Sequence, residues 1–123
     1  MLRWFEKRHE LSFFILIMGA LGIFFVSSLS FSNASASTGF LSLIYHISAF
    51  FLFALFLLIT VVKGKYRNLV PICFVMAVLY GVSDEIHQYL VPGRSASTGD
   101  VFLDTIGIIF ANLIYLISLE FRK

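Results

Sequence analysis

Charge is what this sequence has least of: 13% of its 123 residues are Asp, Glu, Lys or Arg, against 59% hydrophobic, with a mean hydropathy of +0.94. Soluble domains carry roughly 25% charged residues. A chain this short also has too much surface for its volume to hide such an apolar excess from water. The excess must face lipid. A soluble enzyme, a disordered chain and a nucleic-acid binder are thereby disfavoured, and a net charge of +2 is too small to point to a polyanionic partner. The single cysteine, Cys73, excludes an internal disulfide and says nothing of redox compartment. No internal repeat, domain linker or long low-complexity segment interrupts the chain, so residues 1–123 read as one domain. Gly-x-Ser-x-Gly and His-Glu-x-x-His are both missing, no ligand spacing marks a metal, and no motif identifies a cofactor.

What is present is apolar sequence in four runs, about 11–31, 40–62, 69–91 and 101–119. Each approaches or exceeds the roughly 20 residues a helix needs to cross a hydrocarbon core of about 30 Å. The first run is longer than the 7–15 residues of a signal-peptide core and is read as a helix. Short polar connections over 32–39, 63–68 and 92–99 leave no room for further domains. The expected fold is all-α, an integral membrane four-helix bundle. Arg3, Lys7, Arg8, Lys63, Lys65, Arg67, Arg122 and Lys123 all fall on one side of four such spans, and only Arg94 falls on the other. The positive-inside rule then puts both termini in the cytoplasm and residues 32–39 and 92–99 outside.

Polar residues gather at the outer ends of the spans. Asp84, Glu85, His87 and Gln88 end the third, Asp100 and Asp104 open the fourth, His46 lies six residues into the second, and Ser27 and Ser28 close the first. Four acids face one arginine at that end, whereas three acids face eight basic residues at the other. Ionisable groups inside a membrane are costly and default to functional candidates. Tyr80, Asp84 and Gln88 recur at i, i+4, as do Asp100 and Asp104, whose stripe continues through Gly107 and Ala111. Small residues there admit a close helix, so the Asp104 face is expected to point inward, with Asp100 as an N-cap.

The run Ser83-Asp84-Glu85-Ile86-His87-Gln88-Tyr89, with Pro92-Gly93-Arg94, Asp100 and Gly107, resembles the signature of the VanZ-like family of small integral membrane proteins. That pattern runs roughly D-E-x-x-Q-x-F, then P-x-R, then D-x-x-x-N-x-x-G. Ser27-Ser28 and His46 also look like family features, while Asp104 stands where the family often has Asn. The resemblance implies a four-helix membrane protein of the cell membrane. The family takes its name from a member linked to teicoplanin resistance, and the resemblance supplies no general reaction.

His46, Glu85 and Asp104 are the candidate catalytic residues, and Ser27, Ser28, Asp84, Gln88, Arg94 and Asp100 the candidate ligand-binding ones. All are expected around one outward-opening pocket, with Arg94 near an acid, Asp84 paired with Gln88, and Glu85 at the rim. Each has a plainer structural use. Membrane serines bond back to their own carbonyls, Arg94 neutralises the acids, Asp100 caps its helix, and His87 lies at an interface. Three functions follow: binding of a cell-envelope or lipid-linked ligand, an enzyme modifying such a molecule with His, carboxylate and Ser chemistry, or a small transporter. The last is weakened by apolar inner halves of the spans. Membrane lipids are the other expected partner, and oligomeric state is not legible.

Overall fold

The computed structural model describes residues 1–28, 40–92 and 98–122, and every regular element among them is helical. The elements are α1 (Leu2–Lys7), α2 (His9–Ser28), α3 (Phe40–Val62), α4 (Val70–Leu90) and α5 (Thr98–Glu120). Four helices, α2, α3, α4 with the 3-10 turn Arg67–Leu69 before it, and α5, are long and apolar enough to cross a membrane. At 1.5 Å per residue they reach about 30–35 Å. The chain is a multi-pass membrane protein by these spans.

Boundaries differ from expectation where local chemistry intervenes. The third span starts only at Val70, with Pro71 in the first turn, where its missing N–H is not needed. The fourth begins at Thr98, so Asp100 lies within the first turn of α5 and is not its N-cap. There the positive end of the helix dipole still favours its carboxylate. The connection expected over 32–39, and residues 93–97 of the one expected over 92–99, including Arg94, lie outside the described residues.

Packing centres on α3. Its most extensive partner is α5, while α2 and α5 scarcely meet. His46 pairs with Asp104, Ile47 lies against Gly107, and Gly64 bonds Tyr115, so α3 and α5 run parallel with their residues in step. Lipid removes the hydrophobic drive for helices to associate, leaving close packing and polar contacts to hold the spans. The contact surfaces are accordingly built from small residues: Ala54, Ala77, Gly81, Gly107 and Ala111 are all buried. Phe13, Phe14, Phe24, Phe25, Phe102 and Phe110 turn outward.

The end of the bundle carrying the termini has its own polar knot. Glu6 of α1 accepts from Tyr115 at 2.7 Å and from Arg122 at 2.6 Å, and Tyr115 accepts from the Gly64 N–H at 3.0 Å. Gly64 turns the chain after α3 with φ +70, and a Cβ there would meet Arg122 and Glu6 at 2.9 and 3.0 Å. Replacing Glu6 by alanine strips Tyr115 and Arg122 of their shared acceptor, at a cost of about 1–3 kcal/mol. Trypsin cleavage at Arg3, Lys7 and Arg8 should quicken by about tenfold if opening of α1 precedes cleavage. An unchanged rate would mean that other contacts hold α1.

Candidate functional site

The opposite end collects polar side chains from all four spans. Helical spacing sets Asp84 and Gln88 on one face of α4, and Asp100 and Asp104 on one face of α5. α3 supplies His46 and α2 supplies Ser27. Asp104, Ser27 and Gln88 are each 1% exposed, His46 2% and Asp84 5%. Helices in lipid have no other way to shelter so many polar groups than to turn them toward one another.

Two hydrogen-bonded groups result. In the first, His46 Nδ1 lies 2.7 Å from Asp104 Oδ1, with the ring N–H donating to the carboxylate. Its Nε2 points toward Asp100 Oδ2 at 3.7 Å, an ion-pair distance and not a hydrogen bond. The Asp100 side chain is the more open of the two acids. In the second group, Ser27 Oγ donates to Asp84 Oδ1, and Gln88 Nε2 donates to Asp84 Oδ2 at 3.0 Å. The serine proton has an alternative acceptor in the Ile23 carbonyl at 2.9 Å, the ordinary back-bond of a membrane serine. Gly81, one turn before Asp84 on α4, packs against Asp104, so the two groups share one buried end of the bundle.

The two buried acids differ in their second oxygen. Both oxygens of Asp84 accept a bond. Asp104 Oδ2 has no hydrogen-bond partner among the described residues. It packs against Gly81, where an added Cβ would stand 3.4 Å from Oδ2 and from the Phe50 ring, already in contact with both. Gly81 and Phe50 were not among the candidates, although Gly81 sits one turn before Asp84 on the same stripe of α4.

Ser28 is exposed, bonded to the Phe24 carbonyl and to His87 Nε2, both at 2.9 Å, and His87 stacks on Phe24. Glu85 is half-buried, one step around α4 from Asp84. Arg94 is outside the described residues. Among the described residues no group of three His, Cys, Asp or Glu side chains is arranged to hold a metal ion. The serine pair thus divides by burial. Ser27→Ala deprives Asp84 Oδ1 of its donor and should destabilise by about 1–3 kcal/mol, while Ser28→Ala should stay within about 0.5 kcal/mol. Thermal unfolding of the purified variants in detergent compares them, and equal losses would contradict the geometry.

No curated protein and no solved structure matches the chain. A family model described as VanZ/LLP1 matches residues 4–119, from α1 through nearly the whole of α5. The stretch includes the Asp84-Glu85 run, His46, Ser27 and the Asp100–Gly107 stripe that builds the polar cluster. This multi-pass membrane chain belongs to the VanZ/LLP1 family.

Proposed function

We propose that the protein binds a cell-envelope or lipid-linked ligand at the cluster of His46, Asp104, Asp84, Gln88 and Ser27, on the outward side of the cell membrane. The observation that carries this reading is the buried Asp104 oxygen that has no hydrogen-bond partner among the described residues. Such an oxygen is costly, and a donor brought by a ligand would satisfy it. Asp100 and Glu85 serve as rim contacts, and Arg94 is expected near at least one of Asp84, Glu85 and Asp104. Phe50, Ala54, Ala77, Ile108 and Ala111, all 1% exposed or less, fill the bundle one to two turns beyond the cluster, which favours a site closed at its base over a transport path. Glycopeptide sensitivity, the trait behind the family name, is a phenotype through which an envelope ligand of this kind would show itself.

A second reading rests on His46. Asp104 fixes its ring through Nδ1 and leaves Nε2 directed to the more open side, the arrangement of an oriented general base. In that case His46 takes a proton from water, which becomes the nucleophile, and Asp104 steadies the imidazolium. Where Ser27 is the nucleophile, its proton passes to Asp84, which accepts its hydrogen bond. Lipid and envelope profiling of a deletion strain beside strains carrying His46→Ala and Glu85→Gln tests both. The same accumulated species in all three supports chemistry. A lost phenotype with no new species supports binding, and unchanged strains overturn both readings.

The outward placement has its own test. On a Cys73→Ser background, a cysteine at position 97 should label with an impermeant thiol reagent in intact cells, and one at position 65 should not. The reverse pattern would put the cluster on the cytoplasmic side.

A further inference from the structure

Between α2 and α3 runs an apolar groove of about 540 Å³, from Phe14 and Phe56 at one end to Val26 and Tyr45 at the other. Its far end is lined by the chain neighbours of two cluster residues. Val26 precedes Ser27 in the chain, and the Tyr45 ring lies 5.4 Å from that of His46. The groove is open along its side to the membrane, where Phe14 and Met18 are exposed.

Two glycines line it, Gly19 and Gly22, and a Cβ added at either would meet nothing within 4 Å. Glycine in a membrane helix ordinarily marks a close approach by another helix. No helix approaches these two among the described residues, so their missing side chains leave an open channel. Its length selects the occupant. From position 14 to 26 is about 18 Å at the helical rise, close to the roughly 15 Å of a single leaflet. A second copy of the chain would lay a helix across the full core of about 30 Å, and the groove does not extend that far.

We infer that this groove holds one hydrocarbon chain of a membrane lipid, in the leaflet of the His46 cluster, with the lipid's polar end at that cluster. The inference rests on the ligand reading above and narrows it to a lipid. The apolar walls offer the chain packing without orientation, and the polar end is held beyond Val26 and Tyr45, beside Ser27 and His46. One site thus reads both ends of the molecule.

The full chain reconstituted in phosphatidylcholine vesicles, doped with a phosphatidylcholine carrying a diazirine midway along one acyl chain, tests this. After photolysis, adducts mapped by mass spectrometry should be about tenfold denser on the groove than on the exposed α5 residues Phe110 and Leu113. Gly22→Leu and, separately, Gly19→Leu should bring the groove down to the α5 level. Both replacements enter open space and raise helix propensity, so the fold is expected to survive them. Equal labelling of groove and α5, or labelling indifferent to both leucines, overturns the inference. So does a two-copy mass in detergent that Gly22→Leu reduces to one, since a second chain then covers the groove. The His46→Ala profile separates the two claims. A changed profile with an unlabelled groove keeps the ligand and removes the acyl chain, while a labelled, leucine-sensitive groove with an unchanged profile does the opposite.

Discussion

Gly107→Ala is expected to cost more stability than any other glycine-to-alanine change in the bundle. A Cβ at 107 would stand 2.3 Å from the Ile47 carbonyl oxygen and 3.0 Å from the Phe51 nitrogen. Both are backbone atoms of α3, so no rotamer relieves the contact and the two helices must part. Overpacking of this kind costs typically 1–3 kcal/mol and occasionally more. Here the larger end applies, because the displaced contact is the most extensive interface in the molecule. Separation at Gly107 also loosens His46 from Asp104, one turn away on the same pair of helices. Gly81→Ala meets its neighbours at 3.4 Å and should be mild, and Gly22→Ala, in open space, should be neutral or stabilising by up to about 1 kcal/mol. Thermal unfolding of the three variants in one detergent gives the order. Finding Gly107→Ala no worse than Gly22→Ala would contradict the close crossing of α3 and α5.

His46→Ala is the second large effect. It removes the only hydrogen bond to the Asp104 side chain among the described residues and leaves a carboxylate buried with neither oxygen paired there. Breaking one side of a buried ion pair typically costs about 3–5 kcal/mol, more than the pair itself contributes. Asp104→Asn is expected to be far milder, since the amide oxygen can still accept from Nδ1 and no charge is left behind. The family's frequent Asn at this position agrees with that. The double change His46→Ala with Asp104→Ala should destabilise less than the two singles together, with a coupling of about 0.5–3 kcal/mol. Strict additivity, measured by reversible unfolding in detergent, would show that the 2.7 Å contact is energetically idle.

Comparison of particular residues shows which level of structure decided what. Asp84 with Gln88, and Asp100 with Asp104, are joined by helical spacing, and so is the inward stripe through Gly107 and Ala111. A periodicity of 3.6 residues is a property of the chain, so these faces were legible before any contact was known. The same holds for four spans of membrane-crossing length, set by runs of apolar residues against a fixed bilayer thickness, and for the family membership that the 84–107 run carries. Ser27 and Ser28 show the limit. Adjacent residues lie about 100° apart on a helix, and only the rotation of α2 against α4 buries the first beside Asp84 and leaves the second outside with His87. Glu6 and Tyr115 are 109 residues apart, and nothing in either segment announces their bond. That α3 pairs most closely with α5, and not with a neighbour in sequence, likewise depends on which surfaces can approach, and Gly107 is small enough only if α3 is the helix that arrives there. The unpartnered oxygen of Asp104 and the groove beside Gly19 and Gly22 belong to the same class. Both depend on what the neighbouring helices bring near, and that exists only once those helices have been placed.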